Sequence, residues 1–394
     1  MQPSLTVPSL TAREQALVDR AVGFARDAVA PHATRWETGK IVPRDTLAAA
    51  CQAGFAGLLV AEELGGAGIG PAATAAVLEE LAAADLAFAF SVVVHANLAG
   101  NIAKNGTAAQ RERYLPAMLA GERIGAFLLT EPGAGSDAAA ITTRATADGN
   151  GWRLDGEKAW CSNAAIADVL SVYAQTGAGP RDVICLLVDG DAPGLTRTPA
   201  YDLLGCHALG TGGFTFDGCR VGPEAVLVPP PRAFAAAMGG IDIARAVLAA
   251  MCCGALRTGL EVALRYGATR HAFGHPIGDF QGWQWQLADV ETDLRAARLL
   301  AYNALATMQA GQPATLACAH AKKFATRVAM TGLTQCMQAL GANGFRHDQP
   351  LARHLAAAKM AGFLDGTTEI QNVVIARDQR RRAQELAAAP AWWG

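Results

Sequence analysis

The sequence of 394 residues predicts an α+β multidomain protein in which a small β domain sits between two helical ones. Three observations carry that prediction. Apolar residues recur at helical spacing up to about residue 121, and short β-branched segments punctuated by Gly, Asp and Pro fill 124–227. Long helical stretches then resume beyond Pro231 and run to the end. These changes of texture place domains at 1–123 (helical), 124–231 (a β-barrel-like middle domain) and 232–394 (a helical bundle).

Thr11 and Glu14 have the spacing of a capping box, and Leu17, Ala21, Phe24 and Ala28 follow at intervals of three and four. Pro31 and the glycine cluster of 63–70 are expected to break helices, and 72–84 and 88–102 read as buried helices. In the middle region Trp152, Arg153 and Leu154, then 169–174 and 183–188, read as strands, with turn signals at 148–151 and 155–156. In the last region 241–266, 283–310, 314–340 and 368–388 are each long enough to be members of a bundle.

Hydrophobic residues make up 51% of the chain and charged residues 17%, against about 25% in an ordinary soluble protein. Either the core is large or other subunits cover much of the surface. So apolar a chain is not intrinsically disordered. A net charge of −2 offers no basic field to nucleic acid. Nine cysteines, an odd number without a CxxC pair, fit neither a disulfide framework nor a zinc knuckle. Residues 1–15 lack the pattern of a signal peptide. His95, Asn97 and Asn101 interrupt 86–103, so a buried helix is expected there and not a span of about 20 apolar residues. A reduced, soluble, cytoplasmic protein is expected.

Generic motifs give little. The run GGAGIG at 65–70 lacks the preceding strand and following acid of a dinucleotide loop. His271 and His275 are separated by Gly274 and followed by Pro276, which argues against a helix presenting both to a metal. Cys161, Ser162 and Ser136 have no His at a spacing that implies a base, so none is marked as a nucleophile.

Five blocks say more. They are 128–138 (LLTEPGAGSDA), 154–164 (LDGEKAWCSNA), 270–274 (RHAFG) with Gln281, 340–345 (LGANGF) and 364–371 (LDGTTEIQ). In this order, across nearly the whole chain, they resemble the acyl-CoA dehydrogenase family. The resemblance implies FAD as cofactor, an acyl-CoA or acyl-carrier-protein thioester as substrate, a homotetramer, and delivery of electrons to an electron-transferring flavoprotein. It also implies removal of an α-proton by a carboxylate and of a β-hydride by flavin N5.

By the same resemblance Leu128, Thr130, Gly135 and Ser136 line the flavin, and Ser136 also touches the pantetheine arm. Trp160 packs on the flavin ring, and Ser162 stands where threonine is usual, keeping a hydroxyl for N5. Arg270, Phe273 and Gln281 grip FAD; Gln338 and Gly341 reach the FAD of a neighbouring subunit; Thr367 and Glu369 are further FAD contacts. Asp242 and Arg245, three apart on a helix, match a pair at the CoA arm, and Gly366 and His95 border the substrate. His95 has a second reading, as a core histidine with satisfied nitrogens.

The departure lies at the base. The family's usual glutamate is Asp365 here, shorter by roughly 1–1.5 Å. A displacement of about 1 Å can cost on the order of 10²-fold in rate. The family's other base position carries Ala244, so Asp365 is the one carboxylate at either place. Three readings are open: a shifted backbone that lets aspartate reach, drift to an oxidase or elimination reaction, or a non-catalytic flavin-binding subunit of a mixed oligomer. A fourth makes Asp365 merely the cap of the helix near Thr368. The superfamily's nitroalkane-oxidising members carry an arginine seven residues after their aspartate base; Asn372 stands there, which argues against that chemistry. Ala356 and Ala357 replace a usual Arg-Asp pair.

Overall fold

The structure, a computed structural model, describes residues 10–387. The signal-peptide reading of 1–15 and the last residue expected in the 368–388 helix fall wholly or partly outside them. Six helices form the first region: α1 (Ala12–Phe24), α2 (Ala30–Thr38), α3 (Arg44–Gln52), α4 (Pro71–Ala84), α5 (Leu86–Asn105) and α6 (Ala108–Leu119). The capping box at Thr11 and Glu14 is formed in full. Pro31 does not break the helix as expected. A π-turn over Ala25–Val29 joins α1 to α2 and puts Pro31 in the first turn of α2, where a missing N–H costs little.

Eight strands follow: β1 (Gly125–Leu128), β2 (Arg144–Asp148), β3 (Gly151–Cys161), β4 (Val169–Gln175), β5 (Val183–Asp189), β6 (Leu195–Arg197), β7 (Gly212–Val221) and β8 (Val226–Val228). They form one sheet in the order β6-β7-β3-β2-β4-β5-β8, with β1 added in parallel to β4. The β3–β7 register slips between Lys158 and Cys161, so the end of β3 bulges. Asn163 ties this sheet to the helical layer, since its Nδ2 donates to the carbonyls of Ser91 on α5 and Gly125 on β1.

The bundle comprises α7 (Ala233–Thr269), α8 (Gln281–Gln309), α9 (Thr315–Ala339), α10 (Leu351–Ala361) and α11 (Thr368–Ala387), with a small hairpin of β9 (His271–Ala272) and β10 (His275–Pro276) after α7. By length and composition α5 and α7 could each cross a membrane, but their apolar windows are 83% and 72% buried inside the fold.

One core runs from α1 through α4 and α7 to α9. Alanine and glycine let these helices approach closely. A Cβ on Gly254 of α7 would lie 2.1 Å from the Glu79 carbonyl oxygen of α4. Glu79 itself is buried, with Tyr302 Oη donating to it at 2.7 Å and Arg298 paired at 2.9 Å. Because the neighbour at Gly254 is backbone, Gly254→Ala is expected to cost about 1–3 kcal/mol in urea denaturation. Unchanged stability would refute the tight α4–α7 contact.

Candidate active site

The loop after β1 is shaped from beneath. Glu131 is buried; its Oε1 accepts from Lys158 Nζ at 2.7 Å and from Thr143 N at 2.9 Å, and its Oε2 accepts from both the N–H and hydroxyl of Thr142. Lys158 Nζ also donates to the Leu129 carbonyl. Burial alone would raise the Glu131 carboxyl, but the Lys158 ammonium and these donors bring it down to about 2. Held in this way, the loop exposes Gly135 and Ser136, and nothing lies within 4 Å of where a Cβ on Gly133 or Gly135 would be. Leu128, expected at the flavin, is a correction: it is wholly buried, with its side chain in the sheet core and its backbone paired opposite Val172 of β4.

Ala159 N donates to the Thr130 carbonyl, which brings this loop beside the bulged end of β3. There Trp160 takes φ +56° with 60% of its surface exposed, its indole edge-on to Tyr201. A bulky residue in the left-handed region is strained, and strain of this kind collects at ligand sites. Ser162 is buried two residues on. Cys161 between them points into the sheet core, and burial pushes its thiol up to about 12, which removes it as a nucleophile.

Asp365 lies in the turn between α10 and α11 with φ +50°, followed by Gly366 at φ +87°. Arg245 Nε donates to the Asp365 carbonyl at 2.8 Å, and Lys322 Nζ to the Gly366 carbonyl at 2.6 Å. Gln371 Nε2 reaches the same Gly366 oxygen at 2.9 Å. Glycine suits 366 because its φ of +87° is one that side-chain-bearing residues rarely adopt, and a Cβ there would also crowd Arg245 Nη2 at 2.9 Å. The Asp365 carboxylate is left over: its Oδ2 is shielded from solvent and has no hydrogen-bond partner among the described residues. Burial raises the carboxyl to about 6 even though Lys322 and Arg245 pull it down. The capping reading fails, because the α11 N–H of Ile370 is taken by the Thr367 hydroxyl. Glu369 is exposed in the first turn of that helix.

Other expected residues fall in two further places. Asp242 and Arg245 form an ion pair at 2.8 Å, and Thr315 holds the second oxygen of Asp242. Their polar atoms are thus engaged within the chain. Arg270, Phe273, Gln281, Gln338 and Gly341 are exposed and lie at one end of the bundle, where Trp283 Nε1 donates to the Ala339 carbonyl and Asn343 Nδ2 to the Tyr266 hydroxyl. Phe273 has φ +54° and is 94% exposed.

His95 is a correction. It is fully buried, its Nε2 donates to the Met118 carbonyl, and its Nδ1 accepts from Gly125 N–H. Burial lowers it to about 4, so it is a neutral core histidine with no nitrogen left for substrate. Glu131, Lys158, Lys322 and Gln371 escaped sequence reasoning. Lys322 could have been found: it stands four after Cys318 and three before Ala325, on the buried stripe of α9.

The chain matches the acyl-CoA dehydrogenase N-terminal domain over residues 11–122, the middle domain over 126–219 and the C-terminal domain over 233–379. It belongs to the acyl-CoA dehydrogenase family. It is 32% identical over 372 residues to the mitochondrial isobutyryl-CoA dehydrogenase of Dictyostelium discoideum, covering 94% of this chain and 89% of that one. Butyryl-CoA dehydrogenase from Megasphaera elsdenii superposes with a TM-score of 0.91 at 31% identity, over 94% of this chain and 99% of that one. A structure of PigA with FAD and proline gives 0.90 at 27% identity, over 95% and 99%. The chain is thus an oxidoreductase of the flavoprotein class that acts on CH–CH bonds of acyl-CoA thioesters.

Lys158→Met should leave the Glu131 carboxylate buried and unpaired, at a cost of about 3–5 kcal/mol. The double variant with Glu131→Gln should recover part of that loss in thermal denaturation. The pH sign is that of a lowered carboxyl: the stabilisation by Glu131 is complete above its ordinary range and is lost as pH falls toward about 2.

Proposed function

We propose that this chain dehydrogenates a small acyl-CoA thioester at its α,β bond, with Asp365 as the base and FAD as the hydride acceptor. The observation that carries this reading is Asp365 Oδ2, shielded and without a hydrogen-bond partner among the described residues, in a turn whose backbone is held from three helices. Small acyl groups are the first candidates because the relatives are named for isobutyryl- and butyryl-CoA.

The residues present fit FAD. Trp160 offers an uncovered indole face, Ser162 a hydroxyl, Thr130 with the open glycines of its loop a polar edge, and Arg270, Phe273 and Gln281 an exposed grip. When bound, FAD supplies the acceptor for the β-hydride. The chain's own part is to hold the thioester's α-carbon against Asp365, exclude water and take the proton on the carboxylate. A carboxylate near 6 is ionised at neutral pH and is a stronger base than an ordinary aspartate.

The proposal extends to assembly and partners. Phe273 and Phe345, 94% and 85% exposed beside Gln338 and Gly341, suit a homotetramer in which a second subunit covers the cofactor. An electron-transferring flavoprotein is the proposed electron acceptor. The nine cysteines, all buried free thiols, suit a reducing, cytoplasmic setting.

Anaerobic mixing with a panel of acyl-CoAs should bleach the flavin and yield the enoyl product, and Asp365→Asn should slow bleaching by at least about 10²-fold. Peroxide formed in air would favour the oxidase reading, and undiminished bleaching by Asp365→Asn would remove it as base. Activity should rise with pH through about 6 as Asp365 ionises. Stability has the opposite sign. A carboxyl raised in the fold loses stability as pH rises from its ordinary range through about 6. Asp365→Asn should therefore stabilise the protein at pH 7–8, by on the order of 1–3 kcal/mol.

A further inference from the structure

Lys322 is unusual in its surroundings. It sits on α9 among Cys318, Ala321 and Ala325, with no exposed surface. An ammonium has three donors, and a buried one is normally paired with a carboxylate. Among the described residues the Lys322 ammonium makes one hydrogen bond, to the backbone carbonyl of Gly366. A carbonyl does not neutralise a buried cation. The negative groups whose field it feels are Asp365, beside its bonding partner, and Glu369 in the first turn of α11. Burial lowers Lys322 to about 8, which leaves it charged at neutral pH.

We propose that Lys322 is the positioning residue of the base: its ammonium grips the Gly366 carbonyl, fixes the turn that aims the Asp365 carboxylate, and places a positive charge near it. This rests on the reading of Asp365 as base. An aspartate has one methylene fewer than a glutamate with which to adjust, so its carboxylate goes where the backbone puts it. The backbone here is strained at Asp365, with φ +50°, and a strained turn persists only when its surroundings over-determine it. Two cations on separate helices do so, Arg245 on the Asp365 carbonyl and Lys322 on the next one.

The two are not equivalent. Arg245 is largely balanced by Asp242 at 2.8 Å. Among the described residues no carboxylate lies within ion-pair distance of Lys322, so its charge is available to Asp365 through space. The charged and titratable groups facing the turn from the described residues are Asp242, Arg245 and Cys252 on α7, Lys322 on α9, Lys359 on α10 and Glu369 on α11. Cys252, pushed up to about 12 by burial, is a neutral thiol throughout the working range.

The test uses Lys322→Met, which removes charge and hydrogen bond together, and Lys322→Gln, which keeps a donor for the Gly366 carbonyl without the charge. In the FAD-loaded enzyme Lys322→Met should lower kcat at pH 7 by about 10- to 100-fold with KM changed less than about twofold. Both variants should move the acidic limb of kcat above about 6, because the charge that lowers the Asp365 carboxyl is gone. Lys322→Gln should retain more of the plateau rate than Lys322→Met. Thermal stability of the same proteins against pH gives a readout independent of turnover. The loss of stability assigned to Asp365 ionisation should move to higher pH in both variants and vanish when Asp365→Asn is added.

An acidic limb and stability profile that stay in place in either folded variant would overturn the proposal, as would a loss expressed in KM alone. If Lys322→Met fails to fold, the shift or constancy of both profiles in Lys322→Gln decides the question by itself. Failure of the underlying reading looks different: Asp365→Asn would then bleach normally, whatever the Lys322 variants do.

Discussion

Two basic side chains meet one turn at Asp365 and Gly366, and much of the fold is arranged to let them do so. Arg245 reaches it from α7, oriented by Asp242 one helical turn earlier, and Lys322 reaches it from α9. Gln371 closes the third side from α11. The turn adopts a left-handed conformation that aspartate visits at a cost, and Gly366 follows at φ +87°, where a side chain would be strained and would crowd the Arg245 guanidinium. The carboxylate at its tip is therefore placed by backbone geometry, with no hydrogen bond to its Oδ2 among the described residues. A group held in this way has an oxygen without a hydrogen bond among the described residues and two cations that lower its carboxyl against burial. That is what proton abstraction from a weak carbon acid requires.

Backbone strain recurs elsewhere. Six described residues other than glycine have positive φ, and three of them, Trp160, Phe273 and Asp365, stand at positions where the sequence points to binding or catalysis. Trp160 sits where the β3–β7 register slips, so the bulge turns its indole away from the sheet core that Cys161 enters. Phe273 occupies the tip of the β9–β10 hairpin and projects almost wholly into solvent. Backbone conformations that cost of order 1–3 kcal/mol each persist because the surrounding framework is stiff. Glu131 with Lys158 supplies that stiffness under the loop after β1, and the close α4–α7 contact at Gly254 supplies it in the helical core.

The low content of charge also acquires a structural meaning. Several of the charged residues work inside the fold: Glu131 with Lys158, Glu79 with Arg298, Asp85 with Arg353, and Asp242 with Arg245. Each pair joins different elements or domains, except the last, which orients an arginine toward the turn at Asp365. Replacing one partner would strand a buried charge, so these pairs specify how the layers dock more than they add to net stability.

By itself the sequence determined the order of helical, β and helical regions, because apolar periodicity and turn residues are local signals. It also marked out the blocks around Thr130, Trp160, Arg270 and Asp365, since each is a contiguous run. It misjudged Pro31, where a π-turn shifted the proline into a harmless position, and left His95 between two readings, of which the core one holds because backbone groups far away in the chain satisfy both its nitrogens. Only the tertiary structure decided that Asp365 Oδ2 has no hydrogen bond among the described residues while Thr367 caps α11, and that Lys322, 44 residues from Gly366, stands behind Asp365. The reason is physical. A cap, a buried ammonium and a raised carboxyl are properties of what surrounds a residue, and those surroundings come from helices α7, α9 and α11, which converge only when the chain is folded.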